Sequence, residues 1–315
     1  LSVAASRLGF RTHIFDPGAN PPAGDVAHQV TTAVYEDNDA LFAFASTVDV
    51  ITYEFENIPT LTLDALEDHA PIRPGREALR VSQDRLIEKD YLSTLGLRTA
   101  PYADVPDTAA LSVALAQIGA PAILKTRRFG YDGKGQVRIT DPTQADSALA
   151  EMGDAPAILE GFVEFSHEVS VIAARGIDGA VACFDPGENV HRDGILHTTT
   201  VPARLSASQR TDAILIAANI LSIGTGGTGN LSAFAWLQLN IVNDRADRHA
   251  LKRHGVAGLD VGAVTALDDV ADVQTTRGQD VGLLAVVVVQ QRNPARAVRV
   301  VLDGGDLCGH TVLDA

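Results

Sequence analysis

Residues 124–136 read LKTRRFGYDGKGQ and gather Lys125, Arg127, Arg128 and Lys134 around Gly130, Gly133 and Gly135. In a chain of net charge −15, such a local excess of cations needs a reason. Backbone N–H groups freed by glycines close around phosphate oxygens, and lysine adds a mobile point charge, so this composition fits an anion cradle. It is neither the G-x-x-x-x-G-K-S/T phosphate loop nor the dinucleotide pattern G-x-G-x-x-G. Taken alone it also fits a surface hairpin whose glycines merely turn the chain. Lys125, carried by the strand-like PAILKT just upstream, favours the cradle.

Residues 158–175, ILEGFVEFSHEVSVIAAR, form a second chemical stretch. A strand delivering Glu160, an apolar turn at Phe162 and Val163, and a further strand opening at Glu168 offer main-chain groups to a purine edge and a carboxylate to ribose hydroxyls. An ordinary hairpin with exposed acids is the competing reading. A third stretch, TYEFEN at 52–57, places Glu54 and Asn57 after a buried run, and equally fits a solvated acidic loop.

The elements that must position these residues follow from spacing. Leu1, Val3, Ala4 and Leu8 repeat as a helix closed by Gly9, and RTHIFDP alternates as a strand ending at Asp16. A helix followed by such a strand is the second half of a βαβ unit, which implies that a first strand and its glycine turn precede Leu1. VDVITYEF, 48–55, predicts a second buried strand and a doubly wound α/β start. Pro71 and Pro74 bracket a linker, and Ser82 is the expected N-cap of a helix running to Gly96 with Arg85, Lys89 and its acids on the outer face. Residues 108–118 predict another helix, 157–163 and 168–174 strands, and ACFDPGENVHRDGIL a strand, loop and strand. Beyond about Ser222 the pattern degrades into GTGGTG, an isolated Trp236 and NDRADRHALKRHG.

The 315 residues allow one large or two to three modest domains, with ample apolar material for their cores. The acidic balance argues against nucleic acid or anionic lipid as partners, because neutralising many phosphates needs a broad positive field. No run of about 18 apolar residues and no leader pattern occurs, so neither a membrane span nor a secretory signal is predicted. Two separated cysteines without metal-ligand spacing fit a reducing, cytoplasmic setting.

Lys125, the G-Y-D-G-K-G-Q loop at 130–136, E-G-F-V at 160–163, Glu168 in H-E-V-S and E-N-V-H-x-x-G-I-L at 188–196 occur in the order and spacing of ATP-grasp enzymes. From Leu1 to about Leu221 the chain resembles the carboxyaminoimidazole ribonucleotide synthase family, ATP-dependent carboxylases of purine biosynthesis. The resemblance implies an α/β, ATP-grasp fold with a truncated Rossmann-like N-terminal domain. Its parts would be a preATP-grasp domain at 1–75, a small lid-bearing subdomain at 76–155, and a large subdomain at 156–315 that is atypical from about 222. It also implies ATP and Mg²⁺ as cofactors, aminoimidazole ribonucleotide and bicarbonate as substrates, and a homodimer.

Residue roles follow from the same resemblance. Arg85, in D-R-L-x-x-K, and Lys125 would contact ATP phosphates. Gly130, Tyr131, Asp132, Gly133, Lys134, Gly135 and Gln136 would close as a lid, with Tyr131 and Asp132 facing the second substrate. Glu160, Gly161, Phe162 and Val163 would meet adenine, Glu168 ribose, and His191 the phosphate end; Lys125, Lys134 and His191 are the catalytic candidates. Glu54 and Asn57 would face the ribonucleotide.

The tail departs from the family pattern. No glutamate follows Glu188 and the only lysine after it is Lys252, so the family's metal-holding glutamates have no direct counterpart. The nearest echo, V-N-D-R-A-D-R-H at 242–249, offers Asn243 and Asp244 for the metal and Arg248 for the substrate; a solvated charged segment is the alternative. A shifted reading frame from Ser222 would produce such a change. The competing functions are a formate-using ATP-grasp ligase and a nucleotide-binding remnant without turnover.

Overall fold

The computed structural model describes residues 1–53, 55–130, 134–153, 155–176, 179–192 and 195–221, together with two later strands. Helix α1 (Ser2–Arg7) leads into β1 (His13–Asp16), which pairs in parallel with β2 (Gln29–Thr32). Helices α2 (Asn38–Ala45), α3 (Thr60–Leu66) and α4 (Arg76–Ser82) complete this first region. Its core is Leu41, Phe44, Ile51, Tyr53, Leu63, Leu66, Ile72 and Leu79, with Phe15 packed on it. Each large apolar side chain so buried contributes roughly 1.5–3 kcal/mol.

The strand expected over 48–55 is not formed. Ile51 makes one parallel bridge, to Ile72, with Ile51 N–H donating to the Pro71 carbonyl at 2.8 Å and Arg73 N–H to the Ile51 carbonyl at 2.8 Å. Pro71 carries no N–H, so the ladder cannot lengthen on that side. Burial of Ile51 and Tyr53 holds the segment instead.

Helix α5 (Arg85–Thr94) starts two residues later than the sequence predicts. Ser82 ends α4 and bonds back to the Leu79 carbonyl, while the Asp84 carboxylate accepts from Leu86 and Ile87 N–H and is the N-cap. Then come β3 (Tyr102–Val105), α6 (Thr108–Ile118), β4 (Ala122–Thr126), β5 (Gln136–Ile139), α7 (Ala145–Met152) and β6 (Ala157–Gly161). The strands form one antiparallel sheet in the order β3-β6-β4-β5. Val105, Leu111, Leu115, Leu124, Ile139 and Leu159 join α6 and α7 to this sheet in one core. β6 stops at Gly161, short of the predicted Val163, because the chain leaves for another sheet: Phe162 N–H turns to the Pro121 carbonyl at 3.1 Å.

That second sheet is built on β7 (His167–Arg175), with β8 (Val181–Cys183), β9 (Gly187–Arg192) and β10 (Ile195–Thr200). β9 pairs with residues 168–170 of β7 and β8 with residues 173–175, so one long strand carries two short ones in succession. Helix α8 (Ala207–Ile220) packs its Ala213, Ala217 and Ile220 on Val171, Ala173 and Cys183. Tyr91 and Leu92 of α5 and Leu95 just after it join the same core, and the Tyr91 hydroxyl donates to the Ile220 carbonyl at 3.1 Å. α5 is therefore anchored on the second sheet while its first turn serves the first.

Strands β11 (Ala233–Ile241) and β12 (Val264–Ala266) extend the sheet, β11 lying antiparallel along all of β7 and β12 parallel to β8. The irregular reading around Trp236 is thereby corrected. AFAWLQLNI alternates apolar and polar residues only over 237–241, too short a run to mark the whole strand.

Candidate functional site

Lys125, near the end of β4, donates from Nζ to Glu160 Oε2 on the adjacent β6 at 3.1 Å. Lys89 of α5 approaches the same oxygen at 3.5 Å, and its ammonium lies 5.6 Å from the Tyr102 ring centroid. Burial alone would raise the Glu160 carboxyl pKa; the Lys125 and Lys89 charges, the Lys125 hydrogen bond and Arg85 outweigh it and hold it below the ordinary carboxylate range. Glu88 of α5 goes the other way. Burial raises its pKa, with Glu160 adding to the rise and Arg85, Lys89 and Lys125 opposing it.

α5 therefore turns Arg85, Glu88 and Lys89 toward the sheet, not outward as its charge pattern predicts. Arg85 and Lys89 are four residues apart and share a face. Anchoring of α5 by Tyr91, Leu92 and Leu95 aims that face at Lys125 and Glu160.

The glycine loop meets the same place. Arg85 Nη2 donates to the Gly130 carbonyl at 3.3 Å, and Thr126 N–H donates to the Gly135 carbonyl at 2.8 Å. The two ends of the loop thus close over Thr126. A Cβ on Gly135 would stand 2.6 Å from Thr126 Oγ1, and one on Gly130 2.9 Å from it. Gly135 also has φ +66°, so both ends require glycine. Phe129, just before the loop, has φ +60°, a strained setting for a bulky residue.

A second pair lies on the larger sheet, joined to the first by residues 162–166. His191 Nδ1 on β9 is 3.0 Å from Glu168 Oε1 on β7. Strand pairing of Glu168 with Asn189 puts His191 within reach. Phe162 is exposed and lies under the Arg138 guanidinium, 4.4 Å from the ring centroid, while Val163 is partly buried. Glu188 is tied to Arg204, with Nη2 2.8 Å from Oε1 and Nε 3.1 Å from Oε2.

Of the sequence candidates, the structure brings Arg85, Lys125, Glu160, Gly130 and Gly135 together and pairs Glu168 with His191. Lys134 and Gln136 follow on the returning limb of the loop, Gln136 opposite Lys125 in β5. Gly161 is packed against Ile118 and Pro101. Asn57 Nδ2 donates to Glu56 at 3.1 Å in the first region, and the neighbouring Ile58 carbonyl accepts from Gln83. Glu54, Tyr131, Asp132, Gly133, Asn243, Asp244 and Arg248 lie outside the described residues. Sequence reasoning missed Glu88 and Lys89 as members of the site; the i, i+4 spacing of Arg85 and Lys89 was the available signal.

Among the described residues no three His, Cys, Asp or Glu side chains gather as a metal-holding group, and no helix is long and apolar enough to cross a membrane. The described donors therefore do not by themselves form a Mg²⁺ site.

Two family models match the chain: a ribonucleotide synthetase preATP-grasp domain over residues 1–83 and an ATP-grasp domain over residues 90–237. The second match runs past Leu221, into the strand beside β7. The N5-carboxyaminoimidazole ribonucleotide synthase of Brucella melitensis is 53% identical over 208 residues, 65% of this chain and 58% of that protein. The chain thus spans little more than half the length of the curated relatives it matches. A crystal structure of the N5-carboxyaminoimidazole ribonucleotide synthetase from Thermus thermophilus covers 77% of this chain and 64% of its own, at 34% identity and a TM-score of 0.69. The Staphylococcus aureus N5-carboxyaminoimidazole synthetase complexed with ADP covers 76% and 63%, at 32% identity and a TM-score of 0.68.

Proposed function

We propose that this chain, an ATP-grasp protein homologous to the N5-carboxyaminoimidazole ribonucleotide synthases, takes part in ATP-dependent carboxylation of aminoimidazole ribonucleotide with bicarbonate. The observation that carries the reading is the convergence of Lys125, Lys89 and Arg85 around one carboxylate at the pinched mouth of a glycine loop. Three cations beside Glu160 and Glu88 outnumber the carboxylates and leave positive charge for an anionic ligand. The 53% identical relative named as such a synthase, and the ADP complex of a structural neighbour, support nucleotide as that ligand.

Transfer of a phosphoryl group to bicarbonate needs positioning and charge neutralisation more than a covalent helper. Arg85 and Lys125 would neutralise and orient the phosphates, and Lys134 would close on them with the loop. Glu160 fixes Lys125 while the nucleotide enters, then stands with Gly161, Phe162 and Val163 by the base; Glu168 would take the ribose, with His191 beside it. Closure of the loop excludes water from carboxyphosphate, which would otherwise hydrolyse, until the carboxyl passes to the exocyclic amine of the ribonucleotide. Tyr131, Asp132, Glu54, Asn57 and Arg248 are assigned to that second substrate. Mg²⁺ would supply further neutralisation between the phosphates, with Asn243 and Asp244 as the donors assigned to it. A cytoplasmic setting and a homodimer belong to the same reading, supported by cysteine usage and the family resemblance.

Phosphate release measured with ATP tests this. The expected result is release that requires bicarbonate plus aminoimidazole ribonucleotide and is absent with formate plus glycinamide ribonucleotide; the reverse would reassign the substrates. A second reading, nucleotide binding without turnover, is favoured by the absence of glutamate after Glu188. ATP binding by calorimetry with no phosphate released under either condition would establish it.

A further inference from the structure

Where β4 gives way to the glycine loop, a carboxylate and a guanidinium outside the set assigned to ligands hold four segments together. Asp84 Oδ1 accepts from Leu86 N–H at 3.0 Å, Ile87 N–H at 3.4 Å and Arg127 Nε at 3.0 Å. Its Oδ2 accepts from Arg127 Nη2 at 2.7 Å, which makes the pair bidentate. Arg127 Nη1 reaches Asp104 of β3 at 3.3 Å. The Arg127 carbonyl accepts from Arg85 N–H at 3.0 Å, and Arg127 N–H donates to the Pro156 carbonyl, just before β6, at 2.9 Å. The Asp84 and Arg127 side chains are 12% and 22% exposed, too sheltered for an incidental surface pair.

We propose that Asp84 and Arg127 are a positioning pair for the phosphate grip: their forked contact sets where Arg85 and the root of the glycine loop stand relative to each other. Arg85 follows Asp84 directly, and its guanidinium spans to the Gly130 carbonyl. A small rotation at the start of α5 displaces that guanidinium first, and misplacement of a phosphate-holding group by about 1 Å is enough to weaken its action strongly. Helix capping alone does not account for the aspartate. Asparagine or serine caps equally well, but neither offers a second ionised oxygen to an arginine fork. The proposal rests on the nucleotide reading given above.

The test uses the full chain with ATP as the calorimetric probe and compares Asp84→Asn, Arg127→Gln, Arg127→Lys, Arg85→Ala and the double variant Asp84→Asn/Arg85→Ala. Asparagine preserves the cap, so Asp84→Asn is expected to keep the wild-type circular dichroism while losing about tenfold in ATP affinity, the size of one charge-assisted contact. Arg127→Gln behaves alike, and Arg127→Lys recovers only part because lysine lacks the fork. The double variant binds no more weakly than Arg85→Ala alone, since the pair acts through Arg85. Wild-type affinity in both Asp84→Asn and Arg127→Gln, or losses that add in full to that of Arg85→Ala, overturns the positioning role and leaves the nucleotide reading standing. Full affinity in Arg85→Ala likewise overturns the positioning role alone, whereas absent binding in the wild type overturns both. Should Asp84→Asn fail to fold, Arg127→Gln decides on the same criteria.

Discussion

Each of the two larger sheets carries a glutamate that a cation keeps ionised, and the surroundings make the two contacts different in kind. Glu160 in the four-stranded sheet has a side chain 11% exposed, against Lys125 at 22% and Lys89 at 13%. Glu188 in the six-stranded sheet is also 11% exposed, but its partner Arg204 is 83% exposed. Both carboxyls titrate below the ordinary range: Glu160 because its lysines outweigh burial, Glu188 chiefly because of the Arg204 hydrogen bond. Sheltered from water, the lysines around Glu160 act at short range with little screening, whereas solvent and salt weaken the Arg204 contact. The Glu188 pair ties β9 to the segment before α8. The Glu160 cluster is the one suited to receive an anion.

The sharpest way to break this comparison is Lys125→Met. It removes one of the two cations that share Glu160 and leaves the carboxylate to Lys89, and is expected to lower ATP affinity by roughly a hundredfold, the upper range for deleting one charged partner from a sheltered site. Unchanged affinity by calorimetry would put Lys125 outside the site.

Glu160→Gln has a smaller expected effect, on stability at neutral pH, of roughly 1–3 kcal/mol for one sheltered charge contact. Because the folded carboxyl is depressed below its ordinary value of 4.5, its stabilisation is present above that pH and disappears as pH falls through the folded value. Denaturant melts from neutral to acid pH should show wild type losing stability more steeply than the variant. Parallel curves would mean that the lysines do not favour the ionised form.

The smallest effect belongs to Arg204→Ala. With the guanidinium in solvent, the thermal midpoint should match wild type within error. A clear drop in the melt would show that exposure does not separate the two glutamates.

Much of this arrangement was legible from local chemistry. The helix at 108–118 is bounded by Asp107, whose side chain accepts from Ala110 N–H, and by Gly119. PAILKT alternates toward a buried Leu124, and the glycine spacing at Gly130 and Gly135 anticipates a loop whose neck tolerates no Cβ. The strand expected at 48–55 misled because apolar runs report burial, which Ile51 and Tyr53 do have, and say nothing of whether a neighbour offers N–H groups. Ser82 and Asp84 are both good caps by type. Arg127, 43 residues further on, is what favours Asp84.

Glycine freedom, capping and side-chain period act within a few residues of chain, so residue order was enough to say which groups are chemically capable and which local elements carry them. That Lys89 turns inward, and that Lys125 and Lys89 share Glu160, came only with the packed molecule. Burial and charge are properties of what surrounds a group, and those surroundings exist only once α5 has docked on the second sheet while facing the first.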